Sequence, residues 1–388
     1  MVLCFAGNLA GTPVLGSRAR ISLITCGAGE ALYEAFGHSA IRISDPDQGL
    51  DVVFNYGVFD FNQENFYLNF AQGNMLYRLG ISQTQDFIYS YRYYGRSVRE
   101  QVLNLDSAER LAVFQFLDQN LLPENCNYLY NYFRDNCSTK IPQMLDSALG
   151  GRITWNHSQI NGKTSYRSLI YDYTAFQPWG RLGIDLGLGA VIDGAIEGKD
   201  LNFLPFELEK SFNRAVIRKD MTAFPLVLEQ RTLFEAPVFF GTPPFISGPD
   251  FVFTLIFLLT MAAWFFSGRI PALLRSVRAL LFFFSGLLGL VECGIWFFTN
   301  HTDAAWNFNL LWACPMLLPA GFLGPFQNQL SVKILSFLKY YFLLLVACWV
   351  ILPQTLNTSL IPLVMAMAAA CLPERKNQVK AEVSISNE

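Results

Sequence analysis

The sequence predicts an α+β extracytoplasmic domain followed by an all-α membrane domain of five helices. Charge distribution, run length and periodicity carry this prediction. Up to about residue 245, charges, aromatics, glycine and proline are mixed as in soluble domains, whereas from Phe251 to Leu372 charges nearly vanish. Within that stretch five apolar runs (251–266, 279–298, 304–322, 334–352 and 356–372) each approach the roughly 17–25 residues that cross a bilayer. In the first half, short runs of alternating polarity are interleaved with runs of helical spacing. The expected boundaries are 1–19 for a residual signal or N-terminal extension, 20–245 for the extracytoplasmic domain, 246–373 for the membrane domain and 374–388 for a cytoplasmic tail.

Taken in order, residues 21–25 read as a strand entering the tight turn Cys26-Gly27-Ala28-Gly29, and 30–36 as a short helix. Residues 38–44 and 52–61 form two strands around a turn at 45–49, a hairpin that brings Asn55 or Tyr56 close to His38. An aromatic stretch, 66–79, and a tyrosine-rich one, 87–94, follow before Gly95-Arg96. Asn104-Leu105-Asp106-Ser107 caps a helix over 108–120 with Leu111, Phe114 and Leu117 on one face. Residues 126–133 lead to Arg134-Asp135-Asn136-Cys137-Ser138-Thr139-Lys140, the start of a helix that Gly150-Gly151 ends. Residues 178–194 are glycine-rich and apolar, fit for core packing, an apolar slot or a membrane surface, and 205–218 form an amphipathic helix.

Positive charges orient the membrane half. Arg269, Arg275 and Arg278 lie between the first two runs, Lys333 and Lys339 between the third and fourth, and Arg375, Lys376 and Lys380 after the fifth. The loops around His301 and Gln354 carry neither Lys nor Arg, so the charged segments are expected in the cytoplasm and the N-terminal domain outside. Residues 1–16 make a poor export signal, lacking a basic start and broken by Asn8 and Pro13. A net charge of −3 without a basic stripe argues against nucleic acid.

The chemistry centres on Cys137. At a helix start its thiolate meets the positive end of the helix dipole and unpaired amides that also bind an oxyanion. The chain has three histidines, His38, His157 and His301, and His38 sits in a strand that holds an imidazole rigidly, so it is the candidate base. Tyr56 is the expected third catalytic residue. Cys26, which also precedes a short helix, is the alternative nucleophile, and an oxidising exterior also permits a Cys26–Cys126 disulfide. Arg42 and Arg96 are candidates for gripping a phosphate and join Asn136 in the expected substrate-binding set. Of the extracytoplasmic cysteines Cys4, Cys26, Cys126 and Cys137, none has zinc-site spacing, so neither metal nor cofactor is expected. Glu292 lies near the outer end of the second run, where interfacial exposure is expected.

The order of a histidine strand, a second strand and a helix-opening Asn136-Cys137 is similar to the circularly permuted NlpC/P60, papain-like superfamily, including its lecithin:retinol-acyltransferase-like enzymes. More closely, Leu23-Ile24-Thr25-Cys26-Gly27, Phe36-Gly37-His38-Ser39-Ala40-Ile41-Arg42, Phe54-Asn55-Tyr56-Gly57-Val58-Phe59-Asp60-Phe61, Gly95-Arg96 and Asp135-Asn136-Cys137-Ser138-Thr139 resemble the DUF4105 family, which includes the Lnb-type lipoprotein N-acyltransferases of Bacteroidota. Where members usually show Cys-Gly-Pro-Gly, this chain has Cys26-Gly27-Ala28-Gly29. The resemblance covers about residues 20–240 and, in layout only, the membrane half. It implies a bacterial inner-membrane enzyme, its catalytic domain in the periplasm. Through a Cys137 thioester, an acyl chain would pass from a phospholipid donor to the α-amino group of a diacylated lipoprotein. Two alternatives remain: a cell-wall cysteine peptidase or amidase, and a non-catalytic lipoprotein-binding scaffold.

Overall fold

The computed structural model describes residues 15–59, 65–157, 160, 162–237, 244–321 and 329–375. The expected export segment with Cys4, and the tail with Lys376 and Lys380, lie outside the described residues. The chain divides into two compact units, one of residues 1–166 and 195–240, the other of 167–194 and 241–388.

In the first unit the strands are β1 (Arg20–Cys26), β2 (His38–Asp45), β3 (Leu50–Phe59), β4 (Leu76–Gln83), β5 (Val98–Leu103), β6 (Asn127–Leu129), β7 (Ile153–Thr154), β8 (Val216–Lys219), β9 (Thr222–Pro225) and β10 (Val227–Phe234). The helices up to the end of this unit are α1 (Phe66–Ala71), α2 (Thr84–Tyr93), α3 (Ser107–Asn120), α4 (Lys140–Ala148), α5 (Tyr166–Tyr173), α6 (Pro178–Gly187) and α7 (Pro205–Arg214), of which α5 beyond Tyr166 and all of α6 belong to the second unit. Seven strands form one antiparallel sheet in the order β10-β5-β1-β2-β3-β4-β6, and β7-β8-β9 form a small second sheet.

Strand parity builds two cores. Ile21, Leu23, Ile41, Ile43, Val52, Phe54 and Tyr56 point to one face, where α3, α4 and α7 add Val113, Phe114, Leu117, Ile141, Leu145, Leu208 and Phe212. Ile24, Cys26, Ala40 and Val53 point to the other and meet Phe87 of α2. Interior β1 is therefore buried on both sides from Ile21 onward, its small polar residues Ser22 and Thr25 included, so its burial does not alternate. Each such Leu or Ile contributes about 1.5–3 kcal/mol by leaving water. The α3 start follows its sequence: Asp106 accepts from the Glu109 amide while the Glu109 side chain accepts from the Asp106 amide, a capping box.

The second unit contains α8 (Pro249–Phe266), α9 (Pro271–Phe298), α10 (Leu317–Gly321), α11 (Gln329–Ala347) and α12 (Ile361–Ala370). Among the described residues, α8, α9 and α11 are long and apolar enough to cross a membrane. The third apolar run does not form one continuous helix. It folds as 3-10 turns at Thr302–Ala304 and Phe308–Leu311 followed by α10, because Asn307 and Asn309 spend their side chains on turn amides and carbonyls and Pro315 interrupts the backbone ladder. The fifth opens with a 3-10 turn that Asn357 caps, then continues as the ten-residue α12.

Residues 167–194, expected in the extracytoplasmic domain, cluster instead with the apolar helices. The reason is a buried polar knot. Arg167 is 1% exposed and donates to Asp185 (2.7 Å), Asp193 (3.0 Å) and the carbonyls of Leu188 and Gly189, while Asp185 also accepts from Tyr171 (3.0 Å) and Asn357 (2.8 Å). Leu182 of α6 meanwhile packs into the core that contains Trp312, Phe342 and Leu360. Glu292, expected at an exposed interface, is 3% exposed, because it falls on the face of α9 that buries Phe282, Ser285 and Gly289.

Candidate active site

The site begins with two glycines. Gly37, at φ +81°, precedes β2; a Cβ there would stand 2.6 Å from the carbonyl oxygen of Cys26. Only glycine lets the chain turn this close to β1, and the turn sets Cys26 opposite His38. Gly57, at φ +89°, lies in the irregularity where β3 shifts register against β4 between Asn55 and Val58. A Cβ on Gly57 would stand 3.6 Å from Cys137 Cβ, so this bulge carries the end of β3 up to Cys137.

Asn136 shapes the other side. Its Oδ1 accepts from the amides of Ser138 (2.8 Å) and Thr139 (2.9 Å), as a helix N-cap does, and its carbonyl accepts from the Lys140 amide. Its Nδ2 donates to the carbonyls of Tyr132 (2.9 Å) and Phe203 (2.8 Å). Expected to bind substrate, Asn136 is 5% exposed and fully used in holding the turn. Cys137 is the first residue of that turn, three residues before regular α4, and its amide is not among those the cap takes.

His38 and Cys137 meet here, both half-buried and hydrogen-bonded to each other. His38 Nε2 donates to Asn55 Oδ1 at 2.5 Å, which leaves Nδ1 for the thiol. Burial alone would push the Cys137 thiol up. The charge and hydrogen bond of the His38 imidazolium, the Ser39 amide and the Ser138 hydroxyl reverse this and bring it down to about 7. Burial likewise works against the imidazolium, yet Cys137 and Asn55 raise His38 above its ordinary value. The two shifts agree on a thiolate–imidazolium pair. Ser138 donates to Ser39 at 3.0 Å, tying the Cys137 turn to β2.

Several expected site residues lie elsewhere. Tyr56, expected to orient the imidazole, points to the opposite face of β3, where its hydroxyl accepts from Asn120 (2.8 Å) and burial pushes it up to about 12. Its neighbour Asn55 holds His38 instead. Cys26, the alternative nucleophile, is 0% exposed in the α2-side core and its thiol is pushed far up by burial; Cys26 and Cys126 are both free thiols. Arg42 is committed to Asp51 (2.8 Å) and Glu100 (3.0 Å), and Arg96 to Glu34 (3.0 Å), the Gly27 carbonyl (2.9 Å) and the Tyr91 ring, so neither guanidinium is open to a phosphate. Ser39 and Ser138 carry no signal of their own in the sequence beyond adjoining His38 and Cys137. An aromatic wall extends from the site, with Tyr130 stacked on Tyr77 (4.1 Å) and Tyr77 against Phe59 (4.7 Å). Among the described residues no cluster of His, Cys, Asp and Glu is arranged to hold a metal ion.

Two family models match the chain: the Lnb N-terminal periplasmic domain over residues 14–172 and the Lnb transmembrane domain over residues 242–377. Comparisons with curated proteins and with solved structures gave no match. Together the two matched segments cover most of the sequence, in the order of the two parts described above, and the first contains Cys137, His38 and Asn55. The chain belongs to the Lnb family of lipoprotein N-acyltransferases, inner-membrane enzymes with a periplasmic α+β domain ahead of a helical transmembrane domain.

Proposed function

We propose that acyl transfer runs as a ping-pong reaction through a thioester on Cys137, from a phospholipid to the α-amino group of a diacylated lipoprotein. The hydrogen-bonded Cys137–His38–Asn55 series carries this reading. The Cys137 thiolate attacks the phospholipid ester carbon, forming the S–C bond as the carbonyl π pair moves onto oxygen, where the Cys137 amide receives it. Collapse breaks the C–O bond, and the His38 imidazolium gives its proton to the departing lysophospholipid oxygen. Neutral His38 next takes a proton from the lipoprotein amine as its nitrogen attacks the thioester, and the thiolate leaves. Asn55 keeps the ring in one orientation through both halves, as the third member of a triad does.

The finer architecture belongs to the same proposal. The His38 strand followed by the Cys137 turn supports a permuted papain-like fold, and the five apolar runs support five spans, two of them built from broken or short helices. With Arg275 and Arg278 at the start of α9, and Arg375 after α12, on the cytoplasmic side, the C-terminus lies in the cytoplasm and residues 20–166 in the periplasm.

The test is intact mass and hydroxylamine sensitivity of detergent-purified protein incubated with phospholipid. A labile acyl adduct is expected on the wild type and on Cys26→Ala, and lost in Cys137→Ala and His38→Ala. No adduct on the wild type, together with cleavage of peptidoglycan fragments, would overturn the thioester route in favour of a hydrolase.

A further inference from the structure

One buried group beside the nucleophile has no use in the scheme so far. Tyr128, on β6 opposite Tyr77, has a hydroxyl shielded from solvent whose oxygen faces the Gly57 amide and whose proton has no acceptor among the described residues. A buried donor without an acceptor is costly, so this O–H is suited to an acceptor that arrives with the substrate. Its location suggests one. The point where a Cβ on Gly57 would stand is 4.0 Å from Tyr128 Oη and 3.6 Å from Cys137 Cβ, so the hydroxyl and the nucleophile flank the same small space. The ring is fixed there by an edge contact with Tyr56 (6.1 Å) and by Lys140 Nζ, 4.8 Å over its face and paired with Asp135 (2.8 Å). Two other tyrosines near Cys137 are placed differently: Tyr130 presents a ring carbon to that point, and the Tyr91 hydroxyl is engaged with Cys26.

We propose that Tyr128 is a catalytic residue whose hydroxyl, with the Cys137 amide, donates a hydrogen bond to the oxyanion of both tetrahedral intermediates. This rests on the thioester route above. As Cys137 Sγ bonds to the ester carbon, the carbonyl pair moves to oxygen and that oxygen accepts from Tyr128 Oη–H; when the C–O bond breaks, the pair returns and the phenol keeps its proton. Burial and the Cys137 charge both raise the phenol's pKa, so it stays a donor throughout. The cationic Lys140 on its ring favours donation.

Tyr128→Phe removes one oxygen and leaves the packing. In full-length protein in phospholipid–detergent micelles, three quantities are read: the single-turnover rate of thioester formation, KM for phospholipid, and the pH profile of Cys137 alkylation by iodoacetamide. Alkylation consumes the same thiolate but passes through no oxyanion. The expected result is thioester formation slowed about 100-fold, with KM and the alkylation profile unchanged. Thioester formation within about twofold of wild type, or alkylation slowed as much as acylation, would overturn the assignment. Wild type transferring acyl groups with no adduct on Cys137 would overturn the thioester route and this proposal with it, and the wild-type arm reads that separately.

Discussion

His38 and Cys137 set each other's protonation state, and this has a measurable sign. The thiol is held near 7 because the imidazolium, the Ser39 amide and the Ser138 hydroxyl outweigh burial. Below that pH the sulfur is protonated and inert, so the rate of Cys137 alkylation by iodoacetamide should climb as pH rises through about 7. In His38→Ala the opposing charge is gone while burial remains, so the midpoint should move up past the ordinary thiol range. An unchanged midpoint in that variant would remove His38 as the partner. Asn55 and Tyr56 give a second contrast. Asn55→Ala frees the imidazole to rotate and should cut the rate of thioester formation by about 10-fold or more. Tyr56→Phe loses the bond to Asn120, costs about 1 kcal/mol in unfolding, and should leave that rate intact. The juxtaposition of Cys137 and His38 was legible because histidine is scarce and each residue stands in telling surroundings, a helix start and a strand start. The sequence hid the fate of Arg42 and Arg96, whose partners Glu100 and Glu34 lie 58 and 62 residues away and become neighbours only once the sheet has formed.

At the scale of elements, the question between Asn55 and Tyr56 was one of strand parity. The two strands and their hairpin were legible from alternation, and a one-residue shift in register exchanges the faces of every side chain. The pairing of Ile41 with Phe54 settles it: Tyr56 shares the core face with Phe54, and Asn55 shares the other with Val53. The bulge at Gly57 has a local sign, a lone glycine within a strand-like run, but its register and its approach to Cys137 exist only once β4 and the Cys137 turn are in place. The turn at Gly37 is the more exacting of the two. In Gly37→Ala the new Cβ cannot stand 2.6 Å from the Cys26 carbonyl, and φ +81° is strained for any L side chain, so β2 must pull away from β1 and carry His38 with it. The left-handed backbone alone costs about 1–2 kcal/mol. Thermal unfolding should therefore fall by several degrees, and the alkylation midpoint of Cys137 should rise as the His38 contact loosens. A variant with wild-type melting and wild-type Cys137 reactivity would show that this turn does not place the histidine.

At the scale of the whole chain, the two-part plan was legible from charge alone, while the membership of residues 167–194 was not. Their glycines and aliphatic residues suit a soluble core as well as an apolar helical one, and the deciding residues, Arg167, Asp185 and Asn357, look unrelated until brought together. The knot they form is buried within the helical unit, where desolvation makes a half-broken ion pair far worse than none. Arg167→Ala strands Asp185 and Asp193 without their cation and should destabilise this unit by about 3–5 kcal/mol, read as a fall in melting temperature in detergent. Substituting both partners by apolar residues of similar size, Arg167→Met with Asp185→Leu, removes charge and counter-charge together. It should recover a good part of the loss, short of wild type because Asp193, Tyr171 and Asn357 each lose a partner, Asp193 keeping only the Thr355 amide among those described. If Arg167→Ala melted with the wild type, the knot would not hold residues 167–194 in place. If the double variant were no better than Arg167→Ala, the loss would lie in packing around Arg167, which is among the largest fully buried side chains, and not in the stranded carboxylates.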